Sequence, residues 1–293
     1  MQRSFRLKNL IFWELINPND EEVLNLSKKL KIKEIDLRSS LAPEYFSEFI
    51  YEKNYLGFRL LYPLFLNKNI VFEKVGLFLA GKNLVILRKD DKEIRLIWDK
   101  TLNFWQKGKF KDGEFFLTLF IFNLLRRYLP LLKNFRHSLY NLEKSFHKEE
   151  PLRAIEYSSI LRRNLVFSHT AINSILNMIN QVIKTNIPLV KNHFDRWEGI
   201  QDISEFILQK IDDYEKILEG LSRSFETKLS LQINESVRFL TLIQALFLPA
   251  MLIASIYGMN IPLPLAQSKY ALLILSLLMI ATTLLFLKLI KRI

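Results

Sequence analysis

The residues with chemistry to offer sit where the chain is otherwise apolar. In the 19-residue run Phe239–Tyr257, 15 residues are apolar, and the exceptions include Gln244 near the middle and Ser255 near the end. A carboxamide or hydroxyl in such a run is disfavoured against hydrocarbon and must face protein or water. Stepping by three and four from Asn234 collects Val237, Leu240, Gln244, Leu248, Met251 and Ser255 on one helical face. A single chain has little protein to cover that face. Several copies around an axis would supply it, while a hydrogen bond from Gln244 to a second span is the simpler alternative. The run closes on Tyr257-Gly258-Met259-Asn260.

Elsewhere the chain lacks the signatures of an enzyme. Its eight glycines build neither a phosphate loop nor a dinucleotide fingerprint. His137, His147, His169 and His193 show no metal-binding pair spacing. Without cysteine there is no disulfide framework and no thiolate zinc site. The acidic clusters Asp20-Glu21-Glu22 and Asp212-Asp213 read as solvated helix faces. No catalytic residue and no catalytic cofactor is expected. The net charge of +12 does not imply nucleic acid, because part of it flanks an apolar segment and the rest is spread along the chain.

The elements that must position these residues start with two spans. Phe239–Tyr257 and the 18-residue Tyr270–Leu287, also with 15 apolar residues, would each form a helix of about 27–29 Å, close to the hydrocarbon thickness. The outer loop, 258–269, is short enough to force a hairpin. The flanking bases Arg238, Lys288, Lys291 and Arg292 lie on the side away from that loop. The positive-inside rule then places both termini in the cytoplasm of a multi-pass protein of the inner or plasma membrane. The opening MQRSFRLKNLIFWEL has no long apolar core or cleavage pattern and reads as a mature cytoplasmic start.

Residues 1–112 read as a mixed α/β domain. Tyr55–Tyr62, Ile70–Leu79, Leu84–Arg88 and Ile94–Trp98 are rich in β-branched and aromatic residues and are expected as strands, with a turn at Gly81-Lys82-Asn83. Asp20–Leu30 and Pro43–Tyr51 are expected as helices. Residues 113–236 read as a stalk of long helices: Gly113–His147, Pro151–Asn186, and a third from about Val190 that runs without interruption into the first span. Its apolar residues recur every three or four positions from Ile200 through Ile207, Ile211, Leu218 and Phe225 to Val237, a stripe that must bury against neighbours. Residues 237–293 form the membrane domain, with helices at about 239–257 and 270–288.

The stretch LTLIQALFLPAMLIASIYGMN, followed by a second span and basic residues, resembles the CorA family of magnesium transporters. Gly258-Met259-Asn260 is that family's signature, placed at the outer end of the first of two C-terminal spans. Asn234-Glu235, Glu73–Leu87 and Gly113–Phe146 are similar too, so the resemblance covers essentially the whole chain. It implies a homopentameric channel in the lipid bilayer, with an α+β cytoplasmic domain, a helical stalk and a two-helix membrane hairpin. The first spans would line the pore. A ring of Asn260 carbonyls would accept hydrogen bonds from the waters of hydrated Mg2+, which dehydrates reluctantly. Gly258 would allow a tight turn there, with Met259 packed beneath it.

The resemblance also implies cytoplasmic sensing by Mg2+ bridging acidic groups between subunits. The aspartate used falls near Gly199, which leaves Glu198 and Asp202 as the regulatory candidates. Three departures stand out. The loop Ile261-Pro262-Leu263-Pro264-Leu265 lacks the family's acid, Met251 stands where a pore threonine is common, and Arg223 replaces a pore-facing aspartate. Zinc, cobalt or nickel transport on the same architecture, and a membrane-anchored scaffold that does not conduct, are the alternatives to magnesium uptake.

Overall fold

The computed structural model describes residues 2–42, 46–66, 69–108, 112–145, 151–185, 187–259 and 269–290. The chain divides into two compact units, Met1–Arg223 and Ser224–Ile293.

The first unit is built on a six-stranded sheet. Its strands are β1 (Gln2–Leu7), β2 (Leu10–Ile16), β3 (Glu48–Tyr51), β4 (Leu56–Leu66), β5 (Asn69–Ala80) and β6 (Asn83–Arg88), in spatial order β1-β2-β6-β5-β4-β3. All neighbours are antiparallel except β2 and β6, which pair in parallel with Trp13 opposite Val85. Alternation along the strands sorts side chains to two buried faces. Trp13, Leu15, Phe78, Val85 and Leu87 pack under α1 (Asp20–Leu30) and α2 (Glu34–Ser39), against Val23, Leu26 and Leu37. On the opposite face Phe12 meets Trp98, Trp105 and Phe116 edge-on at 5.2–6.0 Å, from α3 (Lys92–Lys107) and α4 (Gly113–Leu125).

Local chemistry starts these helices where the chain needs them. Asn19 and Glu22 form a reciprocal capping box on α1. Asp91 accepts the N–H groups of Glu93 and Ile94 to start α3, and Asp112 accepts that of Phe115 to start α4. Gly113 lets α4 approach the sheet closely, since a Cβ there would stand 2.6 Å from Leu79 Cδ1. Gly81 adopts φ +58° in the two-residue turn between β5 and β6, a conformation few other residues take readily. The expected turn at Gly81-Lys82-Asn83 is thus observed, with Asn83 already in β6.

Three expectations are corrected, and two strands form where none was expected. Ile94–Trp98 is not a strand but the first half of α3. Its buried residues Ile94, Ile97, Trp98, Thr101 and Trp105 follow a helical period, and the Asp91 cap overrides their β-branched and aromatic composition. Pro43–Tyr51 is not a helix. Pro43–Tyr45 lie outside the described residues, and Glu48–Tyr51 is the edge strand β3, where Phe49 and Ile50 pair with Phe58 and Gly57. Gly113–His147 is not one helix: a turn at Arg126–Arg127 separates α4 from α5 (Tyr128–Ser145). Pro130 explains the break, because it has no N–H to continue the ladder and is tolerated in a first turn. Finally, β1 and β2 form from a segment to which composition assigned no strand.

The expected second long helix is α6 (Pro151–Lys184), which lies over β3–β5, with Ser174 Oγ accepting from Ser47 N at 3.0 Å. The single turn α7 (Pro188–Lys191) leads into α8 (Phe194–Tyr257), a helix of 64 residues. The second unit consists of the end of α8 and α9 (Ala271–Ile290).

Phe12 sits at the centre of the aromatic layer and is fully buried. Phe12→Ala is expected to lower unfolding free energy by about 3–5 kcal/mol through the cavity it leaves. Denaturant titration of the detergent-solubilised chain, followed by tryptophan fluorescence, measures it.

Candidate functional site: the apolar end of the long helix

The beginning of α8 is anchored to α4. His193, just before α8, lies 3.2 Å from Asp112 Oδ1 and 3.9 Å from Glu114 Oε2, and Asn192 donates to Glu114. Arg196 lies over the Phe115 ring at 3.6 Å. Burial holds its guanidinium below the ordinary arginine value, and the Asp112 charge opposes that shift. Trp197 is fully buried and stacks on Phe58 at 5.8 Å. From there the apolar stripe is covered through Ile200, Ile207, Ile211, Leu218 and Phe225.

Beyond Phe225 the covering stops while the apolar character does not. From Leu231 to Met259 no residue of the chain is buried, and Val237, Leu240, Leu248 and Met251 are 55–68% exposed. Among the described residues two helical stretches have the length and composition to cross a membrane. The first, Gly113–Ser145 (α4 and α5), is largely buried in its own unit, whereas the apolar window of α8 is not buried at all. The first therefore belongs to the core of a folded domain. The second has a surface that only hydrocarbon or other protein can cover. The 20 residues of α9 supply the companion apolar helix, about 30 Å long.

All seven residues of the expected pore face, Asn234, Val237, Leu240, Gln244, Leu248, Met251 and Ser255, are exposed. The half-buried residues of this segment, Ala245, Leu246, Pro249, Ala250, Ile253 and Tyr257, share another face. At about 100° per residue the two faces lie roughly opposite one another. Among the described side chains of α9 the half-buried ones are Leu275, Met279, Thr282 and Thr283, again on one side.

The polar groups divide in the same way. Thr241 and Thr282 satisfy their hydroxyls on carbonyls of their own helices, at 2.8 and 2.9 Å. Gln244 makes no hydrogen bond among the described residues. Pro249 cannot donate to the Ala245 carbonyl, yet the helix continues past it to Tyr257.

At the C-terminal end of α8 Gly258 N–H bonds to Ala254 O at 2.9 Å and Met259 N–H to Ile256 O at 3.2 Å, closing the helix. Met259 is 56% exposed. Asn260 and the loop Ile261–Leu265 lie outside the described residues, as do Lys291 and Arg292.

Glu198 and Asp202 are both exposed, one turn apart near the start of α8, with no side-chain partner among the described residues. Among the described residues they are not joined by a third ligand, and no three His, Asp or Glu side chains gather as a metal site. Arg223 is paired to Glu219 at 2.6 Å, which neutralises the cation that replaced an expected acid. The acidic clusters are surface groups, as expected. Asp20 pairs with Arg38, Glu22 caps α1, Asp212 meets His169 and Asp213 meets Lys210. Composition alone missed the His193–Asp112 anchor, since the two residues are 81 apart in sequence.

A mixed α/β domain, a long helix leaving it, and a terminal pair of uncovered apolar helices define an integral membrane protein built around a continuous helix. Comparison with known proteins gives the family: the model for CorA-like Mg2+ transporter protein matches residues 8–292, and the chain belongs to that family. The family is one of membrane transporters, not of enzymes. The cobalt/magnesium transport protein CorA of Methanocaldococcus jannaschii is 26% identical over 295 residues, spanning 99% of this chain and 92% of that protein. The complete structure of the CorA magnesium transporter from the same organism superposes with a TM-score of 0.81 at 22% identity, over 99% of this chain and 92% of the other. The full-length CmaX protein gives a TM-score of 0.72 at 14% identity, over 97% of this chain and 88% of the other.

Because the chain contains no cysteine, single cysteines can report which face of α8 meets water. In membranes, Gln244→Cys, Leu248→Cys and Met251→Cys are expected to react with a water-soluble thiol reagent, and Ala250→Cys and Ile253→Cys to resist it. Equal labelling of both sets would dissociate the exposed face from any aqueous path.

Proposed function

We propose that this chain is one subunit of a homopentameric channel that carries hydrated Mg2+ into the cytoplasm. The observation that supports it most is the uncovered face Asn234–Ser255, which ends one turn from the Gly258-Met259-Asn260 signature in a chain of this family. Five copies with this face turned inward would cover its apolar residues and give the Gln244 carboxamides water or one another as partners. The working division is an α/β domain at 1–112, a stalk at 113–236 and a membrane domain at 237–293, with both termini cytoplasmic. Asn260 carbonyls at the mouth would bind the hydration shell of the ion without stripping it, and Gly258 and Met259 would shape that mouth. An inside-negative potential of 100 mV would contribute about 4.6 kcal/mol per divalent ion. Cobalt is the second cargo to consider, because the Methanocaldococcus jannaschii relative is named for both metals.

Purified chain in proteoliposomes loaded with a magnesium-sensitive dye tests the reading. Flux is expected from particles whose mass corresponds to five chains. Asn260→Ala is expected to abolish the flux while leaving that mass unchanged. Monomers or dimers alone, or equal flux in parent and variant, would remove the pore and the filter respectively.

Glu198 and Asp202 are proposed to share a regulatory Mg2+ with a neighbouring subunit, through waters. Such an ion can hold a closed state only by binding it more tightly than the open one. Glu198→Gln with Asp202→Asn is expected to leave currents flowing at millimolar internal Mg2+ that closes the parent. Unchanged inhibition in the double variant would place any sensor elsewhere.

A further inference from the structure

The carboxyl ends of β2 and β6 form a junction found nowhere else in the sheet. These strands are parallel neighbours. The chain leaves β2 for α1, on the Trp13 face, and leaves β6 for α3, on the Phe12 face. Adjacent parallel strands whose connections depart to opposite faces leave a crevice beyond their ends, which is where open α/β sheets bind ligands. A cavity of about 370 Å³ lies at that point, lined among others by Arg3, Glu14, Arg88, Asp90, Arg95 and Asp99. Its volume is that of a small-molecule site.

Glu14 and Arg88 are the buried pair of this lining. Arg88 is 1% exposed and directs both Nε and Nη2 to Glu14 Oε1, at 3.0 and 2.7 Å. The Glu14 side chain is about nine-tenths buried, and its second oxygen, Oε2, has no hydrogen bond among the described residues. An ion pair so buried is weak evidence of stabilisation, because an apolar pair often serves a core as well or better. Its position at a cavity gives the free oxygen a use.

Two side chains of the rim on α3 are unengaged as well. Arg95 and Asp99 are one turn apart on α3, yet neither side chain has a hydrogen bond or ion pair among the described residues. Elsewhere the same spacing closes a pair, as in Arg38–Glu34 and Arg223–Glu219, both at 2.6 Å.

We propose that this crevice binds a nucleoside phosphate. Its charges are mixed: a simple cation would meet three arginines and a simple anion three carboxylates. A ligand with a phosphate at one end and hydroxyl donors at the other answers both. Arg95 and Arg3 take the phosphate oxygens, for which the planar guanidinium is suited. Glu14 Oε2 and Asp99 accept from the ribose hydroxyls. The loops Asn17-Pro18-Asn19 and Lys89-Asp90-Asp91 contain no glycine, and Asp91 already occupies two N–H groups of α3, so side chains hold the phosphate. This site is independent of the pore.

Calorimetric titration of the full chain in detergent with ADP tests the assignment, with adenosine and inorganic phosphate as separate probes. ADP is expected to bind saturably, once per chain, and more tightly than either fragment. Arg95→Ala and Asp99→Asn, both at exposed positions, are each expected to weaken it roughly ten- to a hundredfold without shifting the ligand-free melting temperature. Absence of saturable ADP binding at millimolar concentration would overturn the proposal. So would phosphate binding as tightly as ADP, or affinities in both variants within about twofold of the parent.

Discussion

One constraint organises the molecule: α8 must satisfy two different surroundings along a single hydrogen-bonded helix. Up to Phe225 its apolar stripe is covered by the protein's own side chains. From Leu231 to Met259 no residue is buried, and from Phe239 the apolar surface extends around most of the helix. A helix satisfies its own backbone, so it can cross from one surrounding to the other without exposing peptide groups, which a loop could not do in hydrocarbon. The distribution of charge follows from this. After Val237 there is no acid in the chain, and the only bases are Arg238, Lys269, Lys288, Lys291 and Arg292.

The α/β unit gives that helix a fixed starting point. Trp197 against Phe58, Arg196 over Phe115 and His193 beside Asp112 hold the first turns of α8 to the sheet and to α4. These contacts join residues far apart in sequence, and several are partly or wholly removed from water. A movement of α8 therefore has to disturb a packed junction rather than a flexible linker.

The departures from the family pattern look different once partners are known. Arg223 is bound to Glu219, so its charge is offset on the same helix face. Glu198 and Asp202 have no side-chain partner among the described residues. Gln244 has no partner among the described residues, unlike Thr241 and Thr282, which bond back to their own helices. Long amides cannot reach their own backbone in this way as readily as a β-hydroxyl, so Gln244 depends on what lies beside the helix.

Local pattern alone determined much of this protein. The apolar windows, the capping residues before α1, the uninterrupted run into the first span and the signature after Tyr257 are short-range features. They state composition and period, which decide helix and membrane affinity directly. The tertiary structure decided the rest. Ile94–Trp98 has a strand's composition but packs as a helix because Asp91 caps it and Phe12 receives its tryptophan. Phe49 and Ile50 become an edge strand because β4 offers them partners. The parallel contact of β2 with β6 joins residues about 70 positions apart, and no local period encodes such a pairing. The crevice at their ends, with Arg88 on Glu14, exists only because two connections leave to opposite sides of the sheet. Pairing across the chain is settled by packing free energy summed over many residues, and single-residue preferences are too small to reveal it.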